Sequence, residues 1–290
     1  MSSSIPGPFQ AAVNRLSSSD GSPAEVGPKP MQVVVVSSQK GGSGKTTLCG
    51  HLAVQAEKMN AGPVALIDTD PQGSLAGWWN ARAAETPAFV KTEIRTLERD
   101  IANLRAAGVR FVFIDTPPAI TTALAATVQH ADLVVVPTRP SPHDLRAVGS
   151  TLDIIEAQDK PMVFAVNGAN PRARMTSAVA VALSQYGTVA PVTVHHRTDF
   201  ATSMINGGTV TEAAKPGRSA SEIEELWSYL AVRLDKLLAL QRIHPSASEP
   251  RSSAGELERR FNPSPTRLFG RRAPENQTSV QKMASGRVGS

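Results

Sequence analysis

Cysteine is almost missing from this chain: Cys49 is the single one in 290 residues. No internal disulfide can form, which excludes a disulfide-stapled scaffold and points to a reducing cytosol. Aromatic side chains make up only 4% of the residues, so a core has to come from Val, Ala, Leu and Ile. That composition suits a buried parallel sheet wrapped by helices. No apolar run reaches the roughly 18 residues of a membrane-spanning helix. The N-terminus also lacks the basic-then-apolar pattern of a signal peptide. His51, His130, His143, His195 and His196 have no metal-ligand spacing, and the adjacent pair 195–196 would point to opposite faces of a strand. These read as structural or surface histidines. No Ser/His/Asp or Cys/His nucleophile arrangement stands out.

Hydrophobic residues reach 41%, enough for a real core of one large or two small domains. The basic surplus is uneven. From His244 onward eight Lys and Arg face four Glu, so this stretch carries +4 of the formal +5. Residues 1–30 are rich in Ser, Pro and Gly and read as a disordered leader. Residues 244–290, rich in Ser, Pro and Arg, read as a disordered basic tail. Between them, over 31–243, apolar runs alternate with helical patterns. Strands are expected at Gln32–Ser37, Val64–Asp68, Arg110–Asp115, Leu133–Pro137, Pro161–Asn167 and Val189–Val194. Helices are expected at Thr46–Asn60, Ser74–Ala84, Leu97–Ala107, Thr121–His130, His143–Gln158 and Thr176–Tyr186. A last helix is signalled by a capping-box pattern, Ser219-Ala220-Ser221-Glu222. Strands alternating with helices imply a single doubly wound, mainly parallel α/β sheet with helices on both faces. Ligands of such sheets bind beyond the carboxyl ends of the strands.

At one such end stands Lys40-Gly41-Gly42-Ser43-Gly44-Lys45-Thr46-Thr47. A strand precedes it and a helix follows, which is the setting of a phosphate-binding loop. Its glycines allow a tight turn with N–H groups pointing inward at phosphate oxygens, and the helix N-terminus adds partial positive charge. Lys45 would reach the β- and γ-phosphates of ATP, and the Thr46 hydroxyl would ligate Mg²⁺. The pattern is a deviant Walker A: Gln39 stands where the usual first glycine would be, and a second lysine, Lys40, opens the run.

Two further strands deliver acids to the same edge. One ends in Asp68-Thr69-Asp70-Pro71-Gln72 and the other in Asp115-Thr116-Pro117-Pro118. Asp115 fits a Walker B acid holding Mg²⁺, directly or through water. Asp68 or Asp70 would support the metal or orient the attacking water. Asn167 ends a strand, and is a candidate either for reading an adenine edge or for a turn asparagine.

With these residues in hand the chain resembles the ParA-type partition ATPases of the deviant Walker A superfamily, which includes MinD. The Asp68–Gln72 run with Ser74-Leu75 and Trp78 is similar to the small, ParF-like subgroup. So are Pro137-Thr138-x-Pro140-Ser141-Pro142-x-Asp144-Leu145 and Glu156-Ala157-Gln158. The likeness covers about residues 31–240. It implies an ATP-dependent homodimer in which Lys40, the signature lysine, crosses to the partner subunit's phosphates. Asp70 is then tied to water activation, Lys45 and Thr46 to ATP and Mg²⁺, and Asp115 to the Walker B role. It further implies a cytoplasmic, nucleoid-associated cycle. The ATP-loaded dimer binds nucleoid DNA without sequence preference, and a separate centromere-binding or cargo-adaptor protein stimulates hydrolysis.

Arg172, Arg174, Arg197, Lys215 and Arg218 are the DNA candidates. Clustered on one face they could neutralise several phosphates; scattered, they would be ordinary solvated charges. Larger ParA proteins carry an N-terminal helix-turn-helix domain, which the Ser/Pro-rich leader cannot form. A MinD-like membrane-cycling regulator is the alternative, but Pro263 and Pro265 interrupt any amphipathic helix in the tail. The iron–sulfur reductases of the superfamily are excluded by the lone cysteine.

Overall fold

Four consecutive valines, Val33 to Val36, lie on the central strand, β1 (Gln32–Val36). In the computed structural model, which describes residues 30–118, 121–171 and 173–243, both faces of this strand are covered. All described residues lie in one compact unit. The leader and tail of the sequence reading, and Arg172, fall outside the described residues.

Chain order after β1 is α1 (Lys45–Lys58), β2 (Val64–Asp68), α2 (Ser74–Asn80), β3 (Ala88–Lys91), α3 (Leu97–Ala106) and β4 (Phe111–Asp115). Then come α4 (Thr121–Val128), β5 (Leu133–Thr138), α5 (Pro142–Ala157), β6 (Met162–Ala169), α6 (Met175–Ser184), β7 (Val189–His195), α7 (Thr198–Met204) and α8 (Arg218–Ile243). The seven strands form one sheet in the order β3-β2-β4-β1-β5-β6-β7, with every pairing parallel. Alternation along each strand splits the core in two. Val34, Val36, Leu66 and Phe113 face α1 and α8, where Trp227 packs edge-on against Phe111 at 5.2 Å. Val33, Val35, Ile67 and Ile114 face the opposite layer, with Ile101, Leu124, Val148 and Leu183.

Three local readings differ from the structure. β3 was not expected. It is four residues long at the sheet edge, too short to show a period, and it pairs with β2 alone. The helix expected over Ser74–Ala84 stops at Asn80 although Ala-Arg-Ala-Ala follows. Tertiary contacts override that propensity: the Arg82 side chain turns inward to donate to Gly207 O and Thr86 O and to pair with Glu212. The expected capping box of the last helix spends its side chains elsewhere. Ser219 Oγ donates to Asp199 at 2.8 Å, and Glu222 accepts from the His195 backbone N–H, the His195 ring and Arg197. The helix start after Arg197 is present as α7, with Arg197 at its N-cap.

Candidate nucleotide site at the end of the central strand

The strand order places β4 on one flank of β1 and β5 on the other, so the loop leaving β1 opens between them. Gly42 and Gly44 hold positive φ values of 74° and 95°, and Gly44 is the N-cap residue of α1. No side chain caps α1 at that residue, so its first N–H groups are left for a ligand. Lys40, Gly41 and Gly42 are exposed at the rim, while Ser43 and Lys45 are buried. The two lysines of the motif are thus divided: Lys45 turns in, and Lys40 stands in solvent.

The acids converge as expected. Register pairs Asp68 with Asp115 across β2 and β4. Thr46 Oγ1 donates to Asp115 Oδ2 at 2.5 Å, uniting the two residues expected to hold Mg²⁺. Burial pushes the Asp115 carboxyl up to about 7, against the Thr46 hydrogen bond and the Lys45 charge. Burial likewise lowers Lys45, against Asp115 and Asp70. A carboxyl so reluctant to ionise alone is suited to a cation. Among the described residues no group of three or more His, Cys, Asp or Glu could hold a metal by itself. One hydroxyl and one carboxylate fit Mg²⁺, which takes its remaining oxygens from water and phosphate.

Asp68 is placed differently from a free metal ligand. Its oxygens accept from Asp70 N and Ala76 N, both at 3.0 Å, so it acts in place of the missing side-chain cap of α2. Asp70 is less confined: one oxygen accepts from Gln72 N, and it borders a cavity of about 640 Å³ beside Trp79 and Phe89. Water can therefore reach Asp70 from the β3 side. Asn167 neither turns outward nor stands free. Its Nδ2 donates to the P-loop carbonyl of Ser43 at 2.7 Å, and a Cβ at position 44 would overlap that amide. The structure makes it a brace of the loop. The Thr47 carbonyl accepts from His51 Nδ1 inside α1, a contact the histidine pattern did not signal.

Residues 34–225 match the CobQ/CobB/MinD/ParA nucleotide binding domain. The chain belongs to this family. It is 30% identical over 198 residues to the maintenance of carboxysome distribution protein A of Halothiobacillus neapolitanus, covering 65% of this chain and 91% of that protein. It is 27% identical over 220 residues to the protein ParA of Rhizobium radiobacter, covering 71% and 98%. Among solved structures it is similar to the ATP complex of a Cyanothece McdA variant, with a TM-score of 0.59 at 15% identity, covering 70% and 97%. That likeness bears on the fold alone. The ParA/MinD-type ATPase expected from the motifs, with ATP and Mg²⁺ as its cofactors, is therefore met at the level of the family.

The DNA candidates divide. Lys215 and Arg218 are exposed at the start of α8, and Arg174 is exposed before α6. Arg197 is brought to the same corner as Arg218 by the Ser219–Asp199 and Glu222 contacts. Its guanidinium, however, is committed to Glu222 at 2.6 Å with its side chain 21% exposed. Glu222, read from sequence as a capping residue, is the organiser of this corner. Arg139 was also missed. Its only signal is its place just past the carboxyl end of β5.

Proposed function

We propose that this protein is a positioning ATPase whose hydrolysis acts as a timer. Mg·ATP closes a homodimer, because two facing polyphosphates need the charge of Lys40 from the opposite subunit. The closed dimer binds nucleoid DNA through Arg174, Lys215 and Arg218, with Arg197 supporting the same corner. A cargo-adaptor protein then stimulates hydrolysis, Asp70 orients the attacking water, and the dimer leaves DNA. The chemistry supplied by Mg²⁺ is charge neutralisation at the phosphates, with Thr46 and Asp115 holding it.

The observation that carries this reading is the division of the two P-loop lysines: Lys45 is 7% exposed beside Asp115, and Lys40 is exposed at the rim. With Lys45 already supplying a buried cation at its own site, the exposed Lys40 ammonium is available to a second subunit. Relatives named for carboxysome distribution and for ParA support a cargo that is moved rather than chemically altered.

The test is binding to a random-sequence DNA duplex with ATP, ADP or no nucleotide, for wild type and Lys45→Ala across a salt series. The expected outcome is binding with ATP alone, lost in Lys45→Ala and weakened by salt. Binding that ignores nucleotide would assign the affinity to the basic tail, and no binding under any condition would overturn the DNA-cycling reading.

A further inference from the structure

One cation beside the P-loop has no role in the motif. Arg139 leaves β5 in the run Thr138-Arg139-Pro140-Ser141-Pro142. Its backbone is held: Ser141 N donates to the Arg139 carbonyl at 2.7 Å, and Ser141 Oγ then caps α5 by accepting from Asp144 N. The side chain runs over two glycines. A Cβ at Gly42 would lie 3.9 Å from Arg139 Nη1, and a Cβ at Gly168 would lie 3.5 Å from its Nε. Both glycines have positive φ, 74° and 63°. The guanidinium therefore rests on a lane of bare backbone that joins the P-loop to the end of β6.

Two further facts bear on its use. Among the described residues no carboxylate pairs with Arg139, which is exposed. The acids Asp68 and Asp115 end strands on the far flank of β1, so Arg139 stands on the flank that has none of them. An unpaired arginine laid against a cradle of inward N–H groups meets an anion there at no cost in broken ion pairs. Guanidinium binds phosphate in a two-pronged geometry that an ammonium does not match.

We propose that Arg139 contacts the polyphosphate of a nucleotide held in its own P-loop and sets a preference for the triphosphate over the diphosphate. The cation set is then Lys45 beneath the phosphates, Arg139 above Gly42 and Lys40 from the partner subunit. The extra charge of ATP over ADP makes the third cation count more for ATP. This rests on the ATPase reading.

The experiment is fluorescence titration of the full chain with mant-ATP and mant-ADP in Mg²⁺, for wild type, Arg139→Ala, Arg139→Lys and Lys45→Ala. Arg139→Ala is expected to weaken mant-ATP about tenfold and mant-ADP about threefold or less, with Arg139→Lys between. Its melting temperature should match wild type, since no ion pair is lost. Affinities within about twofold of wild type for both nucleotides overturn the proposal, and equal weakening of both overturns the triphosphate preference. Should Arg139→Ala misfold, Arg139→Gln is read by the same criteria. Wild type binding neither nucleotide would remove the ATPase reading itself. Binding abolished by Lys45→Ala but untouched by Arg139→Ala removes only the role of Arg139.

Discussion

A carboxylate with no exposed surface needs a proton or a cation, and Asp115 is 0% exposed. Thr46 provides one hydrogen bond, and Lys45 provides charge from a distance that burial partly cancels. Thr46→Ala and Asp115→Asn should each lower Mg²⁺-dependent ATP turnover by about two orders of magnitude, and chelating Mg²⁺ should silence wild type, as read by phosphate release. His51 offers a prediction of stability. It is 0% exposed in α1; its Nδ1 donates to Thr47 O at 2.8 Å, and its Nε2 has no partner. Burial lowers it to about 4, with the hydrogen bond to Thr47 and the charge of Glu212 opposing and Arg82 adding a smaller push downward. The unfolded chain takes up a proton below about 6.5, which the folded chain refuses until about 4. Stability is therefore complete above that upper value and is lost as pH falls through the window, by about 3 kcal/mol in all. Denaturant midpoints at pH 7.5 and 4.5 check this. A slope surviving intact in His51→Gln would place its origin in another group.

At the scale of elements, the P-loop is held by pieces distant in sequence. Gly44 sits at φ 95° against Asn167 from β6, so Gly44→Ala meets both strain and overlap. It should abolish nucleotide binding while leaving far-UV circular dichroism unchanged, because the sheet does not depend on that turn. The loop following α2 is clamped by Arg82, whose side chain is 3% exposed and which pairs with Glu212 and with Gly207 O. Arg82→Met removes the partner of a half-buried carboxylate and should cost about 3 kcal/mol in urea unfolding. A loss under about 0.5 kcal/mol would mean that solvent replaces the clamp.

At the scale of the molecule, the question is whether the basic residues near the ends of β6 and β7 act as one surface. If they do, Lys215→Ala and Arg218→Ala should each reduce the slope of log affinity for DNA against log salt by about 1, without changing stability. Arg197→Ala should behave differently. It removes one of the donors to Glu222 and should lower the melting temperature as well as the affinity. Equal melting temperatures for Arg197→Ala and wild type would show the ion pair to be dispensable.

How much was legible from the chain varied with the range of the interaction. The P-loop, the acids at the ends of β2 and β4, and six of the seven strands could be read because each is written in consecutive residues: a glycine run, a largely apolar run, or, for β2 and β4, an apolar run ending in Asp. The buried valines and the periodic helices likewise determined a parallel sheet covered on both faces, since a strand apolar on both sides has to be covered on both. Only the tertiary structure decided that Asp68 caps α2, that Asn167 braces Ser43, that Glu222 serves β7 rather than its own helix, and that Arg139 lies on Gly42. Each of these depends on which strand ends lie side by side. Strand order is set by how helices pack across the sheet, a long-range balance that no local run of residues contains.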